Sequence, residues 1–382
     1  MLKSTRHSLA KSSGFRWDVG VLAGVLLITL VAGDLIGTRA ASASATPSQP
    51  ALGMRLSLIT ADGDHTCGLA SDANPVCWGK DSFGESADSI GGQATFVSGA
   101  PRGVDLATAS DHTCEVTLVR TVWCWGLNAT GELGRPGAGV DERPARVAGL
   151  PSVGRVAVAS FDSCIVSTAG AVWCWGLNNY HQLGTRVGSE SWKPRRVDGI
   201  SRISSISVSY DHVCALGRDG SVWCWGSNYF AQSGGRYHSP PSAGPDHIHV
   251  GARSISVATS FGTSCSLRQE GGVMCWGSTL LGLSEANSTA HVRPRLIAGT
   301  QGASKIWMNQ ALACIMNRAL EMSCWGWDGQ SDLLHSNESP GVPFDPNVTR
   351  VPALDGATGL GIGIAHVCEL STRWTARCWG TE

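Results

Sequence analysis

The chain is 382 residues long and nearly neutral, with 29 Lys and Arg against 30 Asp and Glu and only 15% charged residues in all. Beyond residue 45 the balance is 24 basic to 28 acidic, so a basic surface that tracks phosphates is not indicated and no nucleic-acid partner is expected. The length would hold two ordinary domains, or one large array of repeats.

The chain opens with Lys3, Arg6, Lys11 and Arg16 ahead of an uncharged, mostly apolar run from Val19 to Gly33. Asp34 interrupts it, and Ala41-Ser42-Ala43-Ser44-Ala45 offers small-residue cleavage sites. The run is 15 residues, short of the roughly 20 that span a bilayer. Residues 1–45 therefore read as a signal peptide, with a retained membrane anchor as the other reading. Either way residues 46–382 are expected outside the cytosol, secreted or at the cell surface.

Fourteen cysteines follow in seven pairs, the members of each pair ten positions apart: Cys67 with Cys77, Cys114 with Cys124, Cys164 with Cys174, Cys214 with Cys224, Cys265 with Cys275, Cys314 with Cys324, and Cys368 with Cys378. Trp-Gly follows every second cysteine, and the first cysteines recur at intervals of 47, 50, 50, 51, 49 and 54 residues. Self-similarity at this period signals a solenoid, a propeller or an array. Within one pair, Cys214 and Leu216 alternate against Val222 and Cys224, around Arg218-Asp219-Gly220 as a three-residue turn with glycine at the left-handed position. That centre places positions i and i+10 opposite each other on antiparallel strands, where a disulfide fits. Seven local disulfides are predicted, consistent with an oxidising compartment. Cysteine and the tryptophan after it face opposite ways, so both faces of the sheet are apolar. Such a sheet is packed between two others, as a propeller blade is.

These motifs resemble the repeat of the regulator of chromosome condensation family. Asp111-His112-Thr113-Cys114 is followed by Val122-Trp123-Cys124-Trp125-Gly126 and then by Asn128-Ala129-Thr130-Gly131-Glu132-Leu133-Gly134; Leu118 to Thr121 lack the family's Asp-Gly turn. The resemblance covers roughly residues 47–380. It implies an all-β, seven-bladed β-propeller, a fold also used by secreted bacterial β-lactamase inhibitor proteins. Arg143 to Val147, Lys193 to Val197 and Arg293 to Ile297 read as outer strands; Val156 to Val158, Ile206 to Val208 and Ile255 to Val257 read as inner strands. Pro47 stands 20 residues before Cys67, as Pro144, Pro194 and Pro294 stand before Cys164, Cys214 and Cys314. The segment from Pro47 is therefore expected to complete the last blade beside the hairpin of Cys368 to Gly380, with Pro50 on an edge.

No catalytic motif occurs, so no catalytic residue, cofactor or metal is expected. Histidine stands two residues before the first cysteine at His65, His112, His212 and His366, replaced elsewhere by Asp162, Thr263 and Leu312; it is read as structural, bonding a neighbouring backbone. Sequons at Asn128, Asn287, Asn337 and Asn347 are read as chance. The loops after Cys-Trp-Gly vary. Blades 3 and 4 carry Tyr180, His181, Tyr229 and Phe230, with Trp192 and Tyr237 further on, and these six form the candidate binding site. The leading expectation is a monomeric, non-catalytic protein-binding or inhibitor module that touches membrane only if its N-terminal segment is retained. A guanine-nucleotide exchange factor, which the family resemblance suggests, and a propeller-scaffold lyase or hydrolase are the alternatives.

Overall fold

A computed structural model describes residues 54–86, 93–236, 238–278, 293–309, 312–327 and 344–380. The expected N-terminal segment, the Pro47 strand, Tyr237, Asn287 and Asn337 lie outside them. The described chain is seven antiparallel sheets, each a meander of consecutive strands, and its one helical stretch is the 3-10 turn Pro352–Leu354. Blade 3 is representative: inner strand Val153–Ala159, stapled hairpin Asp162–Ser167 and Val172–Leu177, outer strand Glu190–Arg196. Blades 1 to 6 have four strands each, and blade 7 has three among the described residues, Ala357–Ile362, His366–Ser371 and Ala376–Gly380.

All seven predicted disulfides are present, with Cα atoms 4.0 to 4.2 Å apart. In blades 6 and 7, whose turns carry Leu320 and Trp374 where others have glycine, Cys324 still pairs with Cys314 and Cys378 with Cys368. The predicted turn is there too: Gly217 and Ser221 close it, and Gly220 takes φ +86°. Blade 2, which lacks the Asp-Gly pair, keeps the same turn with Arg120 at φ +63°. The carbonyl of this left-handed residue also has a second job. It accepts the amide that opens the next inner strand, as Arg120 does from Val153 at 3.0 Å and Gly170 from Ile203 at 3.0 Å. The glycine of Cys-Trp-Gly is fixed by its surroundings. At Gly126, φ is +107° and an added Cβ would meet the Asp111 carbonyl at 2.5 Å.

The core repeats between blades. Each disulfide is buried beside the tryptophan of the following blade: Cys67–Cys77 with Trp125, Cys114–Cys124 with Trp175, Cys164–Cys174 with Trp225, and Cys214–Cys224 with Trp276. The series continues with Cys265 and Cys275 beside Trp325 and with Cys314 and Cys324 beside Trp379, and it closes with Cys368–Cys378 beside Trp78. Sulfur against an aromatic ring adds polarisable contact to a large apolar area. The last blade thus packs on the first, and the Leu56 amide bonds to the Trp374 carbonyl at 2.7 Å, the same turn-to-strand bond as between internal blades.

Candidate functional site

The inner hairpins, such as Val153–Ala159 with Asp162–Ser167, turn in two residues around one end of the central channel. The loops after Cys-Trp-Gly in blades 2 to 4 lie over the same end, because the first amide of each bonds to that turn: Leu127 to Asp111, Leu177 to Phe161 and Ser227 to Asp211, each at 2.8 Å. Side chains then shape the loop. Asn178 accepts from the Leu183 amide at 3.0 Å and donates to the carbonyls of Thr185, Val187 and Gly188, while Gln182 accepts from the Tyr180 amide at 2.9 Å. Asn128 and Asn228 bind their own loops in the same way. The sequon at Asn128 is therefore a loop brace, its amide consumed by Arg135 and Gly137.

The recurring histidines lock this end of the molecule blade to blade. His65 bonds Thr113 at 3.2 Å, His112 Ser163 at 2.9 Å, His212 Ser264 at 2.8 Å and His366 Thr66 at 2.8 Å, in every case through Nε2. This corrects the expected backbone partner: the partner is a hydroxyl of the next blade, one residue before its first cysteine. Where histidine is missing, so is the hydroxyl, since Asp162, Thr263 and Leu312 face blades whose residue is Val213, Ala313 and Val367. That pairing stood in the sequence and is found only by reading adjacent repeats together. The hydroxyl goes on to donate to a loop carbonyl that also receives the tryptophan indole. Glu132 O takes Ser163 Oγ at 2.9 Å and Trp175 Nε1 at 2.7 Å. Burial holds His65 and His112 down at about 3 and His366 at about 4, so all three are neutral near pH 7. No group of three or more metal-ligating side chains occurs among the described residues.

Above this latch lies a continuous run of rings. Phe161 meets Tyr210 edge-on at 5.5 Å, Tyr210 meets Phe261 at 6.2 Å, Phe261 meets Phe230 at 6.4 Å, and Tyr229 packs on Phe230 at 4.9 Å and on His238 at 4.1 Å. Tyr229 is 54% exposed, Tyr210 and Phe261 43%, and Tyr180 41%. Tyr180 is near enough to Tyr210 to help raise that phenol's pKa, after burial, the larger cause. The structure thus brings Tyr180, Tyr229 and Phe230 to one face. His181 is half-buried in the blade 3 loop at φ +61°. Trp192 stands apart on its outer strand, where its indole donates to Glu190 at 2.8 Å and its Cα would lie 2.9 Å from a methyl placed on Gly131. Sequence reading missed Phe161, Tyr210 and Phe261, which occupy the inner turns just before the buried histidine position; an aromatic in a two-residue turn was the available signal.

Inside this rim is a cavity of about 400 Å³. Ala61, Asp62, Thr108, Ser160, Ser209, Thr259, Ser260, Met308, Asn309 and Ile362 contribute to its wall, with Tyr210 and Phe261 at its edge. Thr60 with Thr108 at 3.1 Å and Ser207 with Thr259 at 2.9 Å tie neighbouring inner strands together here. Asp62 is pushed up to about 6 by burial, and by the nearby Asp111, against the 2.6 Å bond from the Gly63 amide.

A model of the Regulator of chromosome condensation (RCC1) repeat matches residues 169–216, and a second model of that repeat matches residues 203–232. Residues 169–232 carry the RCC1 repeat. The first window runs from the turn of the blade 3 hairpin into the blade 4 hairpin, across a blade boundary, and the second covers the inner strand and hairpin of blade 4 with the start of the loop after it. Among solved structures, the propeller is similar to human WBSCR16, at 18% identity and TM-score 0.71, covering 87% of this chain and 88% of that one. It is also similar to Prp20p from Saccharomyces cerevisiae, at 17% identity and TM-score 0.67 over 85% and 82% of the two chains; that structure was reported with its binding properties to Gsp1p and histones. The CRINKLY WD40 ectodomain of the Arabidopsis thaliana receptor kinase ACR4 matches at 19% identity and TM-score 0.50, over 86% and 96%. At these identities the likeness is one of fold. No curated protein sequence matches the chain.

Proposed function

We propose that this RCC1-repeat propeller is a non-catalytic, extracytoplasmic module that binds a protein through the channel mouth of blades 3 to 5. The observation that carries this reading is the unbroken aromatic run from Phe161 to Tyr229, whose exposed rings sit on a braced platform. Rigid exposed aromatics are the usual anchors of protein interfaces. Seven disulfides support an oxidising compartment, and the signal-like N-terminus agrees with it. The same disulfides weigh against exchange of nucleotide on a cytosolic GTPase, the function the repeat family suggests.

The test is capture of a partner from the surrounding medium by the wild-type domain and by a variant in which Tyr180, Tyr210 and Tyr229 are alanine. Anchors of this kind cost about 2 kcal/mol each when truncated, roughly thirtyfold in affinity. Loss of capture with an unchanged melting temperature is expected. Equal capture by both proteins would remove the aromatic run as the interface.

A further inference from the structure

We infer that the cavity behind the aromatic rim receives a positively charged side chain, a lysine or arginine presented by the protein that docks on blades 3 to 5. This rests on the binding reading above and specifies the chemistry of the partner. Asp62 is the only charged side chain among the described residues of the cavity wall. Among the described residues no lysine or arginine pairs with it; its contacts are the Gly63 amide and the Asn309 amide. The further charge that acts on it, Asp111, is also negative, and the lysine on this face, Lys80, is held at 3.5 Å by Asp64. Ser260, on the blade 5 inner strand, also belongs to the lining; it is buried, and its Oγ has no hydrogen-bond partner among the described residues.

The entrance fits the same ligand. Tyr210 and Phe261 line the cavity, and ring faces attract cations, more strongly when desolvated. The aliphatic stem of lysine or arginine packs on such rings while its head reaches a polar site. The head would find the Asp62 carboxylate as its acceptor. An anion would meet a single negative charge with no cation to offset it, and one carboxylate with neutral hydroxyls does not make a metal site.

The experiment uses the whole propeller with three small probes, N-acetyl-lysine methylamide, N-acetyl-arginine methylamide and the uncharged N-acetyl-norleucine methylamide, followed by NMR at pH 7.5, and repeats the partner capture with Asp62→Asn. Saturable binding of the cationic probes, absent for norleucine and weakened at least tenfold by Asp62→Asn, is expected. Capture should weaken by a similar factor in Asp62→Asn, with an unchanged melting temperature. Equal binding of norleucine, indifference to Asp62→Asn, or no binding of either cation overturns the inference. A free alkylammonium ion bound as tightly as the protein partner would also overturn it, in favour of a small amine. The two readings separate cleanly. Capture lost with the three tyrosines but kept in Asp62→Asn leaves the interface standing without the cation site, whereas Asp62-dependent cation binding with no aromatic-dependent capture does the reverse.

Discussion

At the scale of single residues, buried ionisable groups set opposing pH dependences. His65, His112 and His366 fall from an ordinary value of 6.5 to between about 3 and 4, chiefly through burial. A depressed folded pKa means stability that is present above about 6.5 and lost as the pH falls toward 3. Glu115 works the other way. It is buried with neither carboxyl oxygen bonded, and burial pushes it up from 4.5 to about 8. Its raised folded pKa means stability that is complete below 4.5 and lost as the pH rises to about 8. Asp162, buried beside Asp211 and Glu132, pulls in the same direction. At about 1.4 kcal/mol per unit, Glu115→Gln is expected to raise stability by a few kcal/mol at pH 8 and to change little at pH 4. Urea denaturation at the two pH values checks this; an equal effect at both would mean that the carboxyl is charged in the fold. The histidine positions were legible in the sequence. Their partners were not read, because the hydroxyls lie in a neighbouring repeat 48 to 52 residues away, or across the closure.

At the scale of elements, the stapled hairpin was almost wholly readable, since cysteine spacing, period-two alternation and Gly220 all point to one register. The departures were less readable. Ala73, Arg120, Leu320 and Trp374 hold the left-handed turn position at φ +70°, +63°, +62° and +69° where other blades have glycine. They are held there because the carbonyl of each receives an amide of the next blade, as Ala73 does from Gly103 at 2.8 Å. A left-handed residue with a side chain costs about 1 kcal/mol more than glycine. Arg120→Gly should therefore raise the unfolding free energy by roughly that amount, and a loss would show that the arginine side chain contributes more than its backbone strain. The staples act on the unfolded chain. Closing a ten-residue loop contributes roughly 2.5 kcal/mol in the chain-entropy model. Seven reduced staples should therefore lower the melting temperature sharply, and a melting curve unaltered by strong reductant would contradict the pairing.

At the scale of the molecule, closure of the ring uses the parts that join its internal blades. Blade 7 meets blade 1 through Trp78 beside Cys368–Cys378, through the Leu56 to Trp374 bond, and through His366 on Thr66 at 2.8 Å. The chain supplies its own apolar version of that last contact, Leu312 facing Val367 between blades 6 and 7. Thr66→Val alone leaves the buried His366 Nε2 without its hydroxyl, a loss of about 1 to 3 kcal/mol. His366→Leu alone strands a buried hydroxyl and should also destabilise. Together the two changes reproduce a pair the propeller already tolerates, so the double variant should be more stable than the sum of the single losses by about 1 to 2 kcal/mol. The same exchange at His112 and Ser163 is internal, where the chain itself tethers the two blades. Weakening the closing interface exposes sheet edges at both ends of the ring. Thr66→Val should therefore also promote association at high concentration, which Ser163→Val should not. Additive losses in the closing cycle would mean that His366 and Thr66 contribute independently, and equal association by both single variants would mean that the last blade is held by something other than this latch.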